Sequence, residues 1–392
     1  MKKLLILGAG IYQVPLIRTA QRFGIHTIVT SIPGNYPGFA IADKVYYENT
    51  VDYEAILRIA RDEQIDGIVT AGTDVAVITI GKVCDALGLP GLSFEAAQIA
   101  CDKMLMKTCY EEAGVRTAKF RKIWFSDEAY ADKLTGLAFP LIFKSVDSSG
   151  SRGIMRVDSP SEFEKARQNV ANFTHSEYFL VEEFIEGEEF GAQAFVQDGK
   201  VEFILPHGDY VFHGDTGVPI GHFAPYDLAP EVIEDAKVQL RGAIRAMGLN
   251  NCAVNADFIL RDGQTYVLEL GGRSGATCLA EMTSIYFGWD YYEKIIRVAL
   301  GERVDFSSEE ANPVACMLLR SDTAGTIVSQ ADHNVPDADI VEVQFDYPVG
   351  THVNKYRIGP DRIGHVVTRG ETLDAAVAKL HEALDRIEIT VE

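Results

Sequence analysis

From residue 3 to about residue 95 the chain alternates short apolar runs with amphipathic stretches, and this alternation constrains the fold more than any other feature. LLILGAG reads as a buried strand, IYQVPLIRTAQRFG as a helix and HTIVTSI as the next strand. DYEAILRIARDEQ, DGIVTAG and the run around VAVITIGKVCDALG repeat the order helix, strand, helix. Strands separated by crossover helices pair in parallel, which predicts a doubly wound α/β unit. Gly8 and Gly10 form a tight strand-to-helix turn. Gln13 stands where a dinucleotide fingerprint needs its third glycine. The second strand ends Thr30-Ser31, without the acid that would hold a ribose, so the full NAD pattern is absent and an NAD oxidoreductase is left as the third-ranked reading. Thr70-Ala71-Gly72-Thr73-Asp74 closes another strand, where open α/β sheets bind ligands; Thr73 or Asp74 serves equally as a helix cap.

Residues 93–114 read as two helices in series, with Asp102 capping the second and Gly114 ending it. Lys103 and Lys107, four apart, share a face that is ordinarily solvated. FPLIFKSV then carries Lys144 on a strand, and DSSGSRGI follows as a Ser/Gly loop. Backbone N–H groups, hydroxyls and Arg152 in such a loop suit phosphate, although a mobile hairpin tip has the same composition. It is not the GxxxxGK[ST] loop of Walker-type ATPases. YFLVEEFIEGEEFG gives an apolar strand and acids at 182, 183, 186, 188 and 189, either a slot for a base and ribose or a charged surface turn. HGDYVFHGDTGVPIGHF reads as a long substrate-side loop; His207, His213 and His222 lack tight metal-ligand spacing, and Asp209 and Asp215 read as loop polar groups. After about Ser307, short strands, the helix TLDAAVAKLHEALDRI and a last strand predict a small α+β unit.

Asn255 to Thr277 concentrates the chemistry. Two strand-like runs flank Arg261-Asp262-Gly263-Gln264, which is hairpin chemistry. The hairpin can bring Asp257 and Glu269 together on one face, where two carboxylates call for a hard cation such as Mg²⁺. Arg273, four residues on, adds a planar cation suited to carboxylate or phosphate. A solvated hairpin with surface charges is the plainer alternative.

Net charge excludes one class of partner. The 392 residues carry 36 basic against 57 acidic side chains, −21 in all, which argues against a nucleic-acid backbone or an anionic membrane as the main partner. No apolar run is long enough to span a bilayer. Six cysteines without CxxC or Cys/His clustering read as free thiols in a reducing cytoplasm.

Taken in order, these pieces resemble the ATP-grasp superfamily of carboxylate–amine ligases, most closely its L-amino-acid-ligase-like and carbamoyl-phosphate-synthase-like members. The resemblance covers nearly the whole chain. It implies a Rossmann-like pre-ATP-grasp domain at 1–100, a linker helix and lid at 101–190, a core with the metal site at 191–306 and an α+β domain at 307–392. Lys103 and Lys144 look like the lysines on the ATP phosphates, and Ser148, Ser149, Gly150, Ser151, Arg152 and Gly153 like the lid over them. Glu182, Glu183, Phe184 and Ile185 resemble the adenine hinge, Glu189 the ribose acid, and Ile259 the floor under the base. Asp257 and Glu269 resemble the magnesium ligands. Arg273, with Lys144, resembles the catalytic cation set, and Arg273, Ser274, Gly275 and His213 fall where substrate binds.

The resemblance implies ATP, one or two Mg²⁺ with Mn²⁺ as a substitute, a small carboxylate and a small amine or amino acid, and often a homodimer. The expected reaction is amide formation through an acyl phosphate, releasing ADP and phosphate. Alternatives are a purine-type or carboxylating enzyme using formate or bicarbonate, and a silent nucleotide-binding protein. Many members carry Glu-x-Asn at the second metal position; here Glu269-Leu270-Gly271 supplies no second side chain, which leaves the metal count open.

Overall fold

The computed structural model describes residues 1–148, 150, 152–213 and 217–392, the side chain of His213 excepted. Strands β1 (Lys3–Leu7), β2 (His26–Thr30), β3 (Lys44–Tyr46) and β4 (Gly67–Val69) form the expected parallel sheet, in the order β3-β2-β1-β4. The chain changes direction across the sheet between β1 and β4, so a crevice opens at their carboxyl ends. Gln13 ties the crevice together: its side chain accepts from Gly10 N–H at 2.9 Å and donates to the Ala71 carbonyl at 2.5 Å. The residue that spoils a dinucleotide fingerprint is thus a brace between the two turns.

A second sheet, antiparallel, holds β5 (Phe120–Trp124), β6 (Leu141–Lys144), β7 (Ile154–Val157) and β8 (Tyr178–Glu183) in the order β5-β8-β6-β7. The helix Phe163–Ala171 covers it through Phe163, Ala166 and Val170.

The largest sheet has eight strands. It contains β9 (Glu188–Gln197), β10 (Lys200–His213), β11 (Gly217–Ala224), β12 (Cys252–Arg261) and β13 (Gln264–Gly271), ordered β13-β12-β9-β10-β11. Val314–Leu319, Gly364–Arg369 and Ile340–Phe345 continue it, so the sheet draws strands from both sides of residue 307. A side chain every second residue gives the sheet two faces. Phe195, Leu205 and Ile220 pack toward the first sheet, with Leu4, Ile6 and Val29. Phe190, Val254 and Phe258 pack against the helices Phe94–Cys101, Lys103–Glu112 and Pro230–Ala246. Phe190 and Phe258 stack with ring centroids 5.0 Å apart, and burying each ring contributes about 1.5–3 kcal/mol. The C-terminal helix Leu373–Leu384 is capped by Thr372, whose side chain accepts from Ala375 N–H. It seals Ala315, Leu319 and Val366 with Ala376, Leu380 and Ala383.

One expectation is corrected. The predicted substrate-side loop at 207–223 is a long antiparallel hairpin, β10–β11, with residues 214–216 outside the described set. Its glycines misled because they mark close packing rather than turns. A Cβ on Gly208 would lie 2.1 Å from the Phe223 ring, and one on Gly221 would lie 2.2 Å from the Cys316 carbonyl oxygen. No helix among the described residues is long and apolar enough to cross a membrane.

Candidate active site

The acid pair is built by the β12–β13 turn. Asp262 (φ 51°) and Gly263 (φ 73°) both sit in the left-handed region, the backbone a two-residue type I′ turn requires. That turn pairs Arg261 with Gln264, and the register sets Asp257 directly opposite Glu269, with a bulge immediately after Asp257. Burial pushes the Asp257 carboxyl well above the usual range, and the negative charge of Glu269 pushes it further. Burial also works against ionised Glu269, but Lys103 and then Lys144 outweigh it and hold that carboxyl low. Lys103 Nζ lies 3.3 Å from Glu269, whose side chain keeps 41 % of its surface open to the cleft, so this pair is partly screened.

Beneath the acids lies a buried cation–anion–cation arrangement. Glu182 on β8 takes Lys107 at 2.8 Å and Lys144 at 2.5 Å, one on each carboxylate oxygen. The expectation of a solvated face for Lys103 and Lys107 is therefore wrong: Lys107 is 1 % exposed, and Lys103 points into the site. Lys144 sits diagonally across the β6–β8 ladder from Glu182, where Ile142 pairs with Glu182 and Lys144 with Leu180. The Ser/Gly hairpin tip folds back on this cluster. Lys103 Nζ donates to the Ser148 carbonyl at 2.7 Å, and Lys103 N–H to the Val146 carbonyl at 3.0 Å. Gly150 (φ 68°) and Gly153 (φ 67°) take left-handed backbone at the tip, while Ser148 Oγ donates to the Arg152 carbonyl. Ser149 and Ser151 lie outside the described residues.

Ala118, Ile185 and Ile259 form a small buried apolar cluster, with Tyr266 and Leu268 packed against it. Glu189 pairs in register with Ile259. Glu183 N–H donates to the Lys119 carbonyl and Phe184 N–H to the Pro140 carbonyl, fixing the strand edge that leads to Ile185. Gly187 lets the chain pass: a Cβ there would come within 2.3 Å of the Leu260 carbonyl oxygen.

Arg273 is held from the first sheet's side of the cleft. Its Nε and one terminal nitrogen each donate to Asp74 at 2.8 Å, a bidentate pair with the β4 turn. Asp74 is thus an anchor for Arg273, whereas the helix Val77–Leu87 takes Ala76 as its N-cap. The same pair explains Gly271. A Cβ at 271 would lie 3.1 Å from the Asp74 carboxylate and 3.3 Å from the Arg273 guanidinium carbon, so a side chain there would crowd the ion pair. Ser274 is buried, and Gly275 N–H donates to Gln193 Oε1 at 3.0 Å. Gln193 in turn donates to Asn255 at 2.6 Å, tying the Arg273-Ser274-Gly275 turn to β9 and β12. The side chain of His213 is outside the described set.

Gly191, paired with Asp257 on one side and His207 on the other, leaves room for the His207 ring, which would meet a Cβ at 2.2 Å. Gly191→Ala is expected to cost about 1–3 kcal/mol through overpacking, read as a lower melting temperature.

Sequence reasoning missed Lys107, Asp74 and Gln193. Each acts through a partner remote in the chain: 75, 199 and 82 residues away for Glu182, Arg273 and Gly275 respectively. Only the Met106 and Tyr110 neighbours of Lys107, both buried, hinted that its helix face turns inward.

Comparison with known proteins fits this geometry. Residues 137–281 match the model of the ATP-grasp domain, and residues 317–392 that of the L-amino acid ligase C-terminal domain 2. Among curated proteins, the alanine–anticapsin ligase of Bacillus subtilis is 22 % identical over 326 residues, 72 % of this chain and 69 % of that protein. Among solved structures, L-amino acid ligase from Bacillus licheniformis superposes with a TM-score of 0.81 at 21 % identity, covering 100 % of this chain and 99 % of the other. Phosphoribosylglycinamide synthetase from Anaerococcus prevotii superposes with a TM-score of 0.87 at 34 % identity, covering 100 % of both chains. With a full-length relative at that identity, a facing acid pair and two lysines within one electrostatic site, the chain belongs to the ATP-grasp superfamily of ADP-forming carboxylate–amine ligases.

Proposed function

We propose that this protein joins a small carboxylic acid to the amine of an amino acid, through an acyl phosphate made at the expense of ATP. The observation that carries the reading is the register pair Asp257–Glu269 facing Lys103 and Lys144 across one cleft. A facing pair of buried carboxylates, one of which raises the proton affinity of the other, fits a divalent cation, and an all-oxygen pair fits Mg²⁺. In this reading Asp257 and Glu269 hold the ion, which, when bound, neutralises charge between the terminal phosphates. Since Gly271 leaves its place to the Asp74–Arg273 pair, a second ion would rely on Glu269 and the nucleotide.

The remaining roles follow from the same geometry. Lys103 and Lys144 neutralise the phosphates, and the stretch that carries Ser148, Gly150, Arg152 and Gly153 serves as their cover against water. The Ala118–Ile185–Ile259 cluster takes the adenine, with Glu182 to Ile185 as its edge and Glu189 toward the ribose. Arg273 steadies the acyl phosphate and the tetrahedral species that forms when the amine attacks. Ser274 and Gly275 shape the acyl end of the pocket.

The L-amino acid ligase match over 317–392 favours an amino-acid substrate. The full-length likeness to a phosphoribosylglycinamide synthetase favours a second reading, in which the amine or carboxylate belongs to the purine type. ADP release measured against amino acids, glycinamide-type and ribosyl amines, formate and bicarbonate separates them. Release with bicarbonate or formate alone would overturn the amino-acid reading.

Asp257→Asn tests the acid pair from two sides. It removes a carboxyl whose ionisation burial and Glu269 suppress in the fold at neutral pH, so the nucleotide-free protein is expected to gain on the order of 1–2 kcal/mol, seen as a higher melting temperature. The same change removes an ion ligand, so ADP release should fall to background. A variant that stays active, or melts lower, would count against the assignment.

A further inference from the structure

The β10–β11 hairpin carries a cluster that the ligase reading does not use. His207 and Asp209, two residues apart on β10, point to one face of the sheet, and His222 on β11 is the direct cross-strand partner of Asp209. Both imidazoles turn their Nδ1 to the same oxygen of Asp209, at 2.9 Å from His207 and 2.6 Å from His222. One ligand atom from each residue lies within 4.8 Å of the other two. Each histidine is 2 % exposed.

Two further observations point to a missing partner. The Nε2 of His222 is buried and has no hydrogen-bond partner, in a protein interior where such nitrogens are ordinarily satisfied by protein, water or an ion. Acidic charge also gathers nearby: the negative fields of Asp209 and Glu189 reach Asp257 in addition to that of Glu269, with Arg273 opposing them.

We infer that His207, Asp209 and His222 form a second cation site, for a divalent first-row transition metal, separate from the Asp257–Glu269 pair. Two imidazoles and one carboxylate on one side of an ion are the donor set of the two-histidine, one-carboxylate facial site, which leaves coordination positions open. Nitrogen donors select zinc, cobalt, iron or manganese over magnesium, so the chain would hold two sites of different taste a few side chains apart. Metal–ligand bonds of about 2.0–2.2 Å put two ligands of one ion roughly 3–4 Å apart, so the hydrogen-bonded cluster need open only slightly. A neutral imidazole that ligates through Nδ1 carries its proton on Nε2, and rotation of the ring offers Nε2 instead, so loading requires no net loss of a proton from either ring. The site's open positions border Gln193 and Gly191, and hence the row leading to Asp257, where they can take a carboxylate or water of the second substrate.

The test is titration of the chelator-treated full-length protein with Co²⁺ in the absence of nucleotide. A single Co²⁺ per chain is expected, with visible absorption showing nitrogen ligation. Affinity should fall at least about 100-fold in His207→Gln and in His222→Gln, and stay within about threefold in Glu269→Gln. Absent binding, an all-oxygen spectrum, binding retained in both histidine variants, or binding lost only in Glu269→Gln would overturn the inference. The wild-type spectrum decides the matter even where a histidine variant fails to fold. Because no nucleotide is present, the outcome is independent of whether the ligase reading holds.

Discussion

Arg273→Ala is expected to lower the rate of ADP release about 10³-fold while nucleotide affinity changes no more than a few-fold. A cation that meets charge developing on a transferring phosphoryl or acyl group is worth that much in related chemistry, because its work is done in the transition state. Arg273 is suited to it. It is nearly buried, and Asp74 fixes the guanidinium plane from one side, with bonds of 2.8 Å to two of its nitrogens. Holding the fork rigid removes the reorganisation that a mobile cation would need. Arg273→Lys keeps the charge but loses the fork, so it should recover little. Asp74→Asn leaves Arg273 in place with a weaker anchor, and an intermediate loss is expected. The measurement is steady-state ADP release with the best substrate pair, beside binding of a fluorescent nucleotide. A loss below tenfold in Arg273→Ala would remove Arg273 from the chemistry.

The second large effect is on stability. Glu182→Leu should destabilise the fold by about 3–5 kcal/mol, because it leaves the Lys107 and Lys144 ammonium groups buried with no anion between them. Lys107→Met should cost less, since a neutral Glu182–Lys144 pair remains. The order of the two variants in urea or thermal unfolding checks the arrangement, and equal costs would show that the three charges do not act as a unit. Acid supplies an independent reading. Burial disfavours ionised Glu182, but the two lysines prevail and hold its carboxyl below the ordinary glutamate value of 4.5. A group depressed in the folded state stabilises above its unfolded value. That contribution is therefore intact at neutral pH and is lost as pH falls below about 4.5 through the folded value. The wild type should lose stability over that window more steeply than Glu182→Leu.

These two arrangements share a feature of design. Arg273 and Lys144 are both functional candidates, and each is positioned by a carboxylate from another layer of the fold, Asp74 and Glu182. The cleft is thus assembled from three sheets, and a change in how the sheets meet alters the spacing of the charges directly. Such a site suits a reaction in which positioning and charge neutralisation, rather than a covalent nucleophile, do the work.

Much of this was legible in the chain itself. Strand–helix alternation over the first 95 residues determined the parallel sheet, because parallel strands need crossovers and crossovers of that length are helical. The Asp262-Gly263 turn determined the pairing from Arg261–Gln264 to Phe258–Val267, because a two-residue turn with both residues left-handed matches the twist of the flanking strands; the bulge after Asp257, which no local signal marked, then moves Asp257 from Leu268 to Glu269. Lys144 and the Ser/Gly tip were marked by composition on a strand and its loop, whereas Ile185 and Ile259 were named only through the family resemblance.

Tertiary structure alone decided the rest. Lys107 reads as a surface lysine until β8 lays Glu182 against it, and Asp74 reads as a helix cap until the third sheet brings Arg273 to it. The glycines at 208 and 221 look like loop residues, yet each makes room for a ring or carbonyl from another strand. His207, Asp209 and His222 became one cluster for the same reason. Local patterns encode backbone shape through sterics that act over a few residues. Pairing of buried charges depends on which elements come together, and that is set by the packing of whole sheets.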